Sequence, residues 1–473
     1  MRHSFRPLAA LALTAALGAC VAGPPPEIAT PAPTLPEVFL YQPDATTRAT
    51  LAQLLPQDDA YIALSKAALD RSPTLAQAIA QIEAARAGAK RAGANRLPSV
   101  TADRSIVGTR TNPNQFGGSA AQGGFIDPNR VSFGTNLTAS WDPDLFGRLK
   151  AQERAAIARI DAASASSAGV RLALLSEIAG SVIDWRTLAA RSQAIDEDVA
   201  AATEIARLAK VREDAGIAPG FDRVRAEAAA SASRSRQAAL DSERARILGR
   251  LVTLTGLSGQ EVNATLAIPA ALTSPAPAPQ TMPSDLLANR PDVLAAQSEL
   301  AASDAELAAA ARSRFPSINL ASVVGLLAFS PGDIFNEDSI VGTLTAGIAA
   351  PLLDFGRIEA EIDGAAANKT IAFQQYRGAV FQALGDAEAA YGLIAASDTE
   401  AAAALRERDE LARAASLANT RYKAGLADFL TVLEARRAAD ASGERAASAI
   451  GRAQRARVLL WQALGGDVVG VLD

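Results

Sequence analysis

The sequence predicts a mainly α-helical chain that carries a membrane β-barrel segment and is built as an internal two-fold repeat. Three observations lead there. Of 473 residues, 49% are hydrophobic but only 5% are aromatic; alanine supplies much of the difference, and it favours helices that pack with close backbones. Glycines 147 and 356, 216 and 425, and 256 and 465 are each separated by 209 residues, which marks two copies of one plan. Each copy also holds two alternating segments of about ten residues, a length that suits a tilted membrane strand.

The N-terminal residues read as a secretory signal. Arg2 and Arg6 precede an apolar stretch, Leu8 to Leu17, too short to cross a bilayer as a mature helix. It ends in Leu17-Gly18-Ala19-Cys20, similar to a lipoprotein box, so residues 1–19 are expected to be removed and Cys20 to carry lipid. Val21 follows Cys20, which the resemblance reads as sorting to the outer membrane. One lipid group anchors weakly, so deeper insertion is expected as well. Residues 20–57 then form a proline-rich tether.

Removal of the signal takes away the only histidine, His3, and leaves Cys20 as the only cysteine. A chain without free imidazole or thiol cannot build a Ser-His-Asp triad or a Cys/His zinc site. No G-x-S-x-G or phosphate loop is present, so neither an enzyme, a cofactor nor a metal is expected. Forty-six basic and 51 acidic residues are interspersed for a net charge of −5, which gives no footprint for nucleic acid.

The first repeat is expected over 58–265, a proline-rich linker over 266–284 and the second repeat over 285–473. Pro73 pairs with Pro291 and Pro98 with Pro316 at an offset of 218; the nine-residue difference from 209 falls in the intervening hairpin, whose loop is longer in the first repeat. Strands are expected at about 99–110, 131–141, 317–329 and 340–352. The clearest is 131–141, where Val131, Phe133, Leu137 and Trp141 alternate with Ser132, Asn136 and Ser140. In the first strand, Arg104 falls on the apolar side. Segments 111–130 and 330–339 are read as exposed loops.

Long helices are expected at about 148–214 and 357–423, each about 100 Å at 1.5 Å per residue, with shorter ones at about 220–255 and 428–464. Leu174, Ile178, Ser181, Trp185, Leu188, Ser192, Ile195 and Val199 keep three-four spacing. So do Phe373, Tyr376, Val380, Leu384, Ala387, Tyr391 and Ile394. Such stripes belong to helices packed side by side. Four strands leave two unpaired edges, which hydrocarbon does not tolerate, so several copies are expected to share one closed sheet around an axis.

The Cys20 box, Trp141-Asp142-Pro143-Asp144-Leu145-Phe146-Gly147-Arg148, Asn289-Arg290-Pro291-Asp292-Val293, Arg314-Phe315-Pro316, Pro351 to Arg357 and Arg421 to Asp428 together resemble the TolC-type outer-membrane efflux proteins, in particular their lipoprotein subgroup. The resemblance implies a homotrimer with a twelve-stranded β-barrel on a twelve-helix α-barrel. It also implies a periplasmic adaptor, an inner-membrane transporter that is proton-driven, contact with outer-membrane lipid, and passive transport of small toxic compounds. By the same resemblance, Gly216, Ile217, Ala218, Gly425, Leu426 and Ala427 are tips that meet the adaptor. Asp222, Tyr422, Thr431 and Glu434 form the periplasmic gate, with Tyr422 bonded to Asp222 and at most one acidic residue per chain in the constriction. Trp141, Phe146, Arg148, Phe355 and Arg357 occupy the strand-to-helix junctions, as aromatic belt or packing. Asp144, Arg148, Asp354 and Arg357 flank the same turns and are expected to cap the long helices and to pair across chains. A protein-secretion duct is the alternative of the same build, and a coiled-coil envelope rod the alternative from another class; the amphipathic strands oppose the rod.

Overall fold

A computed structural model describes residues 27–43, 50–110, 129–217, 219–272 and 275–466. The signal, Cys20, Ala218 and most of the 111–130 segment lie outside the described residues. The chain divides into two compact units. The first comprises Glu83–Asp161 and Ser298–Gln374 with the described residues before Thr30; the second comprises Pro31–Ile82, Ala162–Gln297 and the described residues from Gln375 onward.

Both repeats run in the same order. Helices α1 (Asp59–Arg71) and α2 (Pro73–Ala94) lead to strands β1 (Ser99–Arg110) and β2 (Asn129–Trp141), then to α3 (Arg148–Asp214), α4 (Gly220–Thr255) and α5 (Gly259–Leu266). The second repeat runs α6 (Asp285–Asn289), α7 (Pro291–Arg312), β3 (Ser317–Ala328), β4 (Ile340–Ala349), α8 (Arg357–Lys423) and α9 (Phe429–Ala463). Between β3 and β4 the chain makes two short 3-10 turns, Pro331–Asp333 and Glu337–Ser339.

In the first unit the four strands form one antiparallel sheet in the order β1-β2-β3-β4. Its register sorts the side chains by face, since residues paired across antiparallel strands point the same way. Ile106↔Phe133, Ala102↔Leu137, Leu137↔Val324 and Leu326↔Ile340 share one face. Asp103↔Asn136, Thr101↔Thr138 and Val323↔Thr343 share the other. One face is therefore apolar and the other largely polar. Arg104 stands opposite Thr135 on the apolar face, as its sequence position requires. At the junction of the two repeats β2 and β3 lie close: a Cβ on Gly325 would stand 2.3 Å from the Thr135 carbonyl oxygen, so only glycine fits there. Among the helices of the same unit, Leu307, Ile358 and Ile362 form a small apolar cluster, flanked by Arg159–Glu306 and Lys369–Asp304 ion pairs.

In the second unit the striped faces are core. Ile178, Leu175, Ile195, Leu240, Leu251, Tyr391 and Trp461 are fully buried in one cluster. The stretch of α3 apolar enough to cross a membrane is mostly buried here, so its hydrophobicity belongs to packing.

Three buried arginines tie the irregular segments to the long helices. Arg186 of α3 donates from Nε to Asp58 Oδ2 at 2.8 Å and from Nη1 to the Leu266 carbonyl at 2.9 Å. Asp58 also caps α1, accepting from the Ala60 N–H at 2.8 Å. Arg290 donates to Asp292 at 2.6 Å, to Asp386 of α8 at 3.0 Å and to the Ala463 carbonyl at 3.1 Å. Arg457 of α9 binds Asp398 of α8 and, through Nε, the Ala276 carbonyl at 2.8 Å. Tyr391 adds a bond to the Pro279 carbonyl at 2.9 Å, so the inter-repeat linker is held by backbone oxygens that any sequence would supply.

Removing one partner of a buried ion pair leaves the other charge uncompensated. Asp58→Ala is therefore expected to destabilise the protein by about 3 kcal/mol or more. Loss of the exposed Arg357–Glu361 pair (Arg357→Ala) should change stability by less than about 0.5 kcal/mol. Denaturant midpoints in detergent separate the two; equal effects would remove the clamp role given to Asp58.

Candidate functional site

The two helix-helix turns of the second unit share one geometry. At the end of α3, the Gly216 N–H bonds the Glu213 carbonyl at 2.8 Å and the Ile217 N–H bonds the Arg212 carbonyl at 2.9 Å. At the end of α8, the Gly425 N–H bonds the Tyr422 carbonyl at 2.9 Å and the Leu426 N–H bonds the Arg421 carbonyl at 2.8 Å. Both are Schellman stops, which need a left-handed residue; Gly216 and Gly425 each have φ +73°. A Cβ would meet nothing within 4 Å at either glycine, so conformation and not space demands glycine. The residue after such a glycine usually packs back onto its helix. Here Ile217 and Leu426 are both 70% exposed, leaving two apolar side chains for another surface. Ala427 is half-buried and lines a cavity beside the second turn.

That cavity, about 600 Å³, brings Asp222, Arg212, Arg225, Tyr422, Leu430 and Leu433 together. Tyr422 and Asp222 thus share one space although 200 residues separate them. The Tyr422 hydroxyl accepts a hydrogen bond from Arg212 Nη1 at 3.0 Å, a partner that sequence reasoning missed. Asp222 stands in the first turn of α4, where a negative charge complements the helix dipole. Arg223 joins the two sides of the first turn, reaching Glu213 at 2.6 Å and Glu227 at 2.8 Å.

The other two gate candidates stand elsewhere in the first turns of α9. Thr431 completes its N-cap: Asp428 Oδ1 accepts from the Thr431 N–H at 2.8 Å and from its hydroxyl at 2.5 Å. The Thr431 hydroxyl, with that N–H, holds the Asp428 carboxyl below its ordinary range. Glu434 lies 3.7 Å from Arg225 in an exposed ion pair.

At the strand-to-helix junctions of the first unit, the repeats solve one problem with different spacing. Asp144 has φ +51°, and its carboxylate accepts from the Leu149 N–H at 2.9 Å and the Lys150 N–H at 2.8 Å. Asp354 stands one residue nearer its glycine and accepts from the Gly356 N–H at 3.2 Å and the Ile358 N–H at 2.9 Å. Both satisfy orphan donors at the start of a long helix. Arg148 pairs with Asp142 at 3.4 Å and Arg357 with Glu361 at 3.0 Å, each within the chain. The Trp141 indole donates to the Arg96 carbonyl at 2.9 Å. Phe146 stacks on Phe315 with centroids 5.0 Å apart, which is packing. Phe355 has φ +54° and is 92% exposed.

Among the described residues no cluster of three or more acidic, cysteine or histidine side chains is placed to hold a metal ion. The family model described as "Outer membrane efflux protein" matches residues 64–257 and again 282–466. A pyoverdine export outer membrane protein, OpmQ of Pseudomonas aeruginosa, is 29% identical over 85% of this chain and 84% of its own length. The toluene efflux pump outer membrane protein TtgI of Pseudomonas putida is 27% identical over 87% and 86%. The outer-membrane channel OprN superposes with a TM-score of 0.83 at 25% identity, covering 94% of this chain and 99% of its own. The Campylobacter jejuni CmeC outer membrane channel shares the fold at 18% identity, with a TM-score of 0.85 over 93% and 94%.

The Arg212–Tyr422 bond makes a measurable claim. In a double-mutant cycle, Arg212→Ala and Tyr422→Phe should show a coupling of about 1 kcal/mol in unfolding free energy. Strict additivity would show that the contact contributes nothing.

Proposed function

The chain belongs to the outer membrane efflux protein family, and on that premise we propose that three copies form a passive duct, gated at the helix tips by a periplasmic adaptor. The protein is the outer-membrane component of a tripartite efflux pump, and it is not an enzyme. The observation that carries the duct is the sheet: β1 and β4 are open edges, one face is apolar and the other polar. In hydrocarbon each unpaired backbone group costs several kcal/mol. Pairing β4 of one copy with β1 of the next removes both edges, and three copies give a twelve-stranded ring. The face of Asp103, Asn136, Thr138 and Thr343 then lines water, while that of Phe133, Leu137, Val324 and Leu344 meets lipid. Phe355, exposed beside the strand ends, suits the interfacial aromatic position.

The tips supply the regulated end. Ile217 and Leu426, held outward by their Schellman stops, offer the apolar contacts for an adaptor; Ala218 belongs to the same turn by sequence. Asp222, Arg212 and Tyr422 form a polar latch beside them, and Glu434 contributes the constriction's one carboxylate per chain. Thr431 serves it through the N-cap of α9. Lipidation at Cys20 adds a tether to the outer membrane. The sequence carries no phosphate loop, so transport energy comes from an inner-membrane partner; a proton-driven transporter is what the family resemblance implies. The export of pyoverdine and toluene by the relatives supports small molecules as cargo.

Mass measurement of the detergent-solubilised protein is expected to give a trimer; a well-folded monomer would sink the duct. In planar bilayers, Asp222→Ala and Tyr422→Ala are each expected to raise closed-state conductance several-fold, whereas unchanged leak in both would remove the latch from the gate.

A further inference from the structure

In the second unit, α3 and α9 meet at two carboxylates some way back from the tips, roughly 25 Å along the helices. The helices pack closely here: a Cβ on Gly443 would stand 3.6 Å from the Ala194 Cβ, and about one turn further along each helix Asp198 and Asp440 come within reach of each other's charge. The Asp198 side chain is 4% exposed. Its Oδ2 accepts from the Ser233 hydroxyl of α4 and from Arg236 Nη2 at 2.5 Å. Arg236 divides itself between Asp198 and Glu444, which it reaches at 2.9 Å. Asp440 fares differently: Oδ2 is buried and accepts from no donor, and the guanidinium of Arg436 stands 3.7 Å from Oδ1.

The charged groups around the pair do not supply the missing donor. From α3 come Arg191, which lies 4.0 Å from Glu444, and Glu197; from α4 comes Arg236; from α9 come Arg436 and Glu444; from α8 comes Arg408, which with Glu197 lines the same cavity as Asp440. Two carboxylates this close, one buried and the other mostly so, cannot both ionise cheaply. One proton between them provides the absent donor and removes the repulsion together.

We propose that Asp198 and Asp440 share a single proton that clasps α3 to α9, and that its loss drives two like charges apart between these helices and loosens the helix bundle above the tips. Burial, then contact with Asp198, pushes the Asp440 carboxyl up to about 7, and Arg436 and Arg236 only partly oppose this. The folded protein therefore binds more protons than the unfolded chain between the ordinary carboxylate range and neutrality. Its stability is greatest at the acidic side of that window, falls as pH rises through it, and levels off above. The consequence for transport rests on the gated-duct reading above; the clasp itself does not.

Full-length protein in detergent tests this by melting temperature across about pH 4.5 to about pH 8.5. Wild type is expected to lose about 3 °C more than Asp440→Asn across the window, because the amide keeps a donor and no charge. Identical pH profiles would overturn the clasp. Should the Asn variant fail to fold, infrared difference spectra of the wild-type protein decide: a protonated-carboxyl band must be present at about pH 6 and gone by about pH 8.5, and its absence at the lower pH overturns the proposal. Bilayer conductance tests the consequence separately. A rise with pH in wild type that Asp440→Asn abolishes supports gating by the clasp; a pH-dependent melt with pH-independent conductance overturns the gating role and leaves the shared proton.

Discussion

Backbone groups must be hydrogen-bonded wherever water is absent, and a four-stranded sheet with one apolar face cannot meet that demand alone. Its hydrogen-bonding capacity ends at β1 and β4, while apolar side chains that favour hydrocarbon lie on one face of every strand, interrupted in β1 by Arg104. The two properties conflict in a single copy and agree in a closed ring. Internal duplication eases the geometry: each repeat brings one hairpin, and β2 and β3 join them at the site where Gly325 lets the backbones approach. The pore therefore follows from strand parity and edge pairing.

The second unit meets its own constraint with charge. Long helices bury large side chains where they pack with α1, α5 and the linker, and the irregular segments there need partners for their backbone oxygens. Arg186, Arg290 and Arg457 each combine a carboxylate with a main-chain carbonyl. A guanidinium suits this because its donors fan out in one plane and its charge persists on burial. Each bridge spans elements far apart in sequence, so the helices cannot slide without breaking several at once.

What was legible in the sequence follows the range of the interaction. The stripe on α3 and the alternation of β2 depend on neighbours three, four or two residues away, and Ile178, Ile195 and Phe133 stand where that periodicity puts them. The helix stops at Gly216 and Gly425 were visible because left-handed φ is a local demand. Arg104 was placed on the apolar face by parity alone. The Arg212–Tyr422 bond and the Asp198–Asp440 contact were not legible, because each depends on the axial register of two helices more than 200 residues apart in sequence. Periodicity fixes which face a residue occupies, but not which residue of another helix stands opposite. Arg212 had one weak signal, its place in the last turn of α3, where a cation favours the dipole. The junctions teach a related lesson: the glycines keep the 209-residue offset, yet Asp144 and Asp354 do not, and each reaches helix donors through its own loop geometry.

The distribution of side-chain size along the helices supports the proposal that the duct opens at the tips. Around α1, α5 and the linker, the core contains Trp461, Tyr391, Leu251, Ile178 and Leu175. Toward the tips, the buried apolar side chains among the described residues are Ala202, Ala209, Ala226, Ala229, Ala230, Ala401, Ala415 and Ala418, with Leu433 the exception. A buried methyl removes far less apolar area from water than a buried leucine or tryptophan, so separating the helices there exposes little and costs correspondingly little. Alanine also lets backbones come close, which keeps the closed state ordered without making it strong. The stability gradient thus runs from a large, arginine-bridged core to a thin alanine seam, and local opening draws on the weak end. On such a seam a single polar contact, such as the hydroxyl held by Arg212, weighs more in the balance than it would in the large-side-chain core.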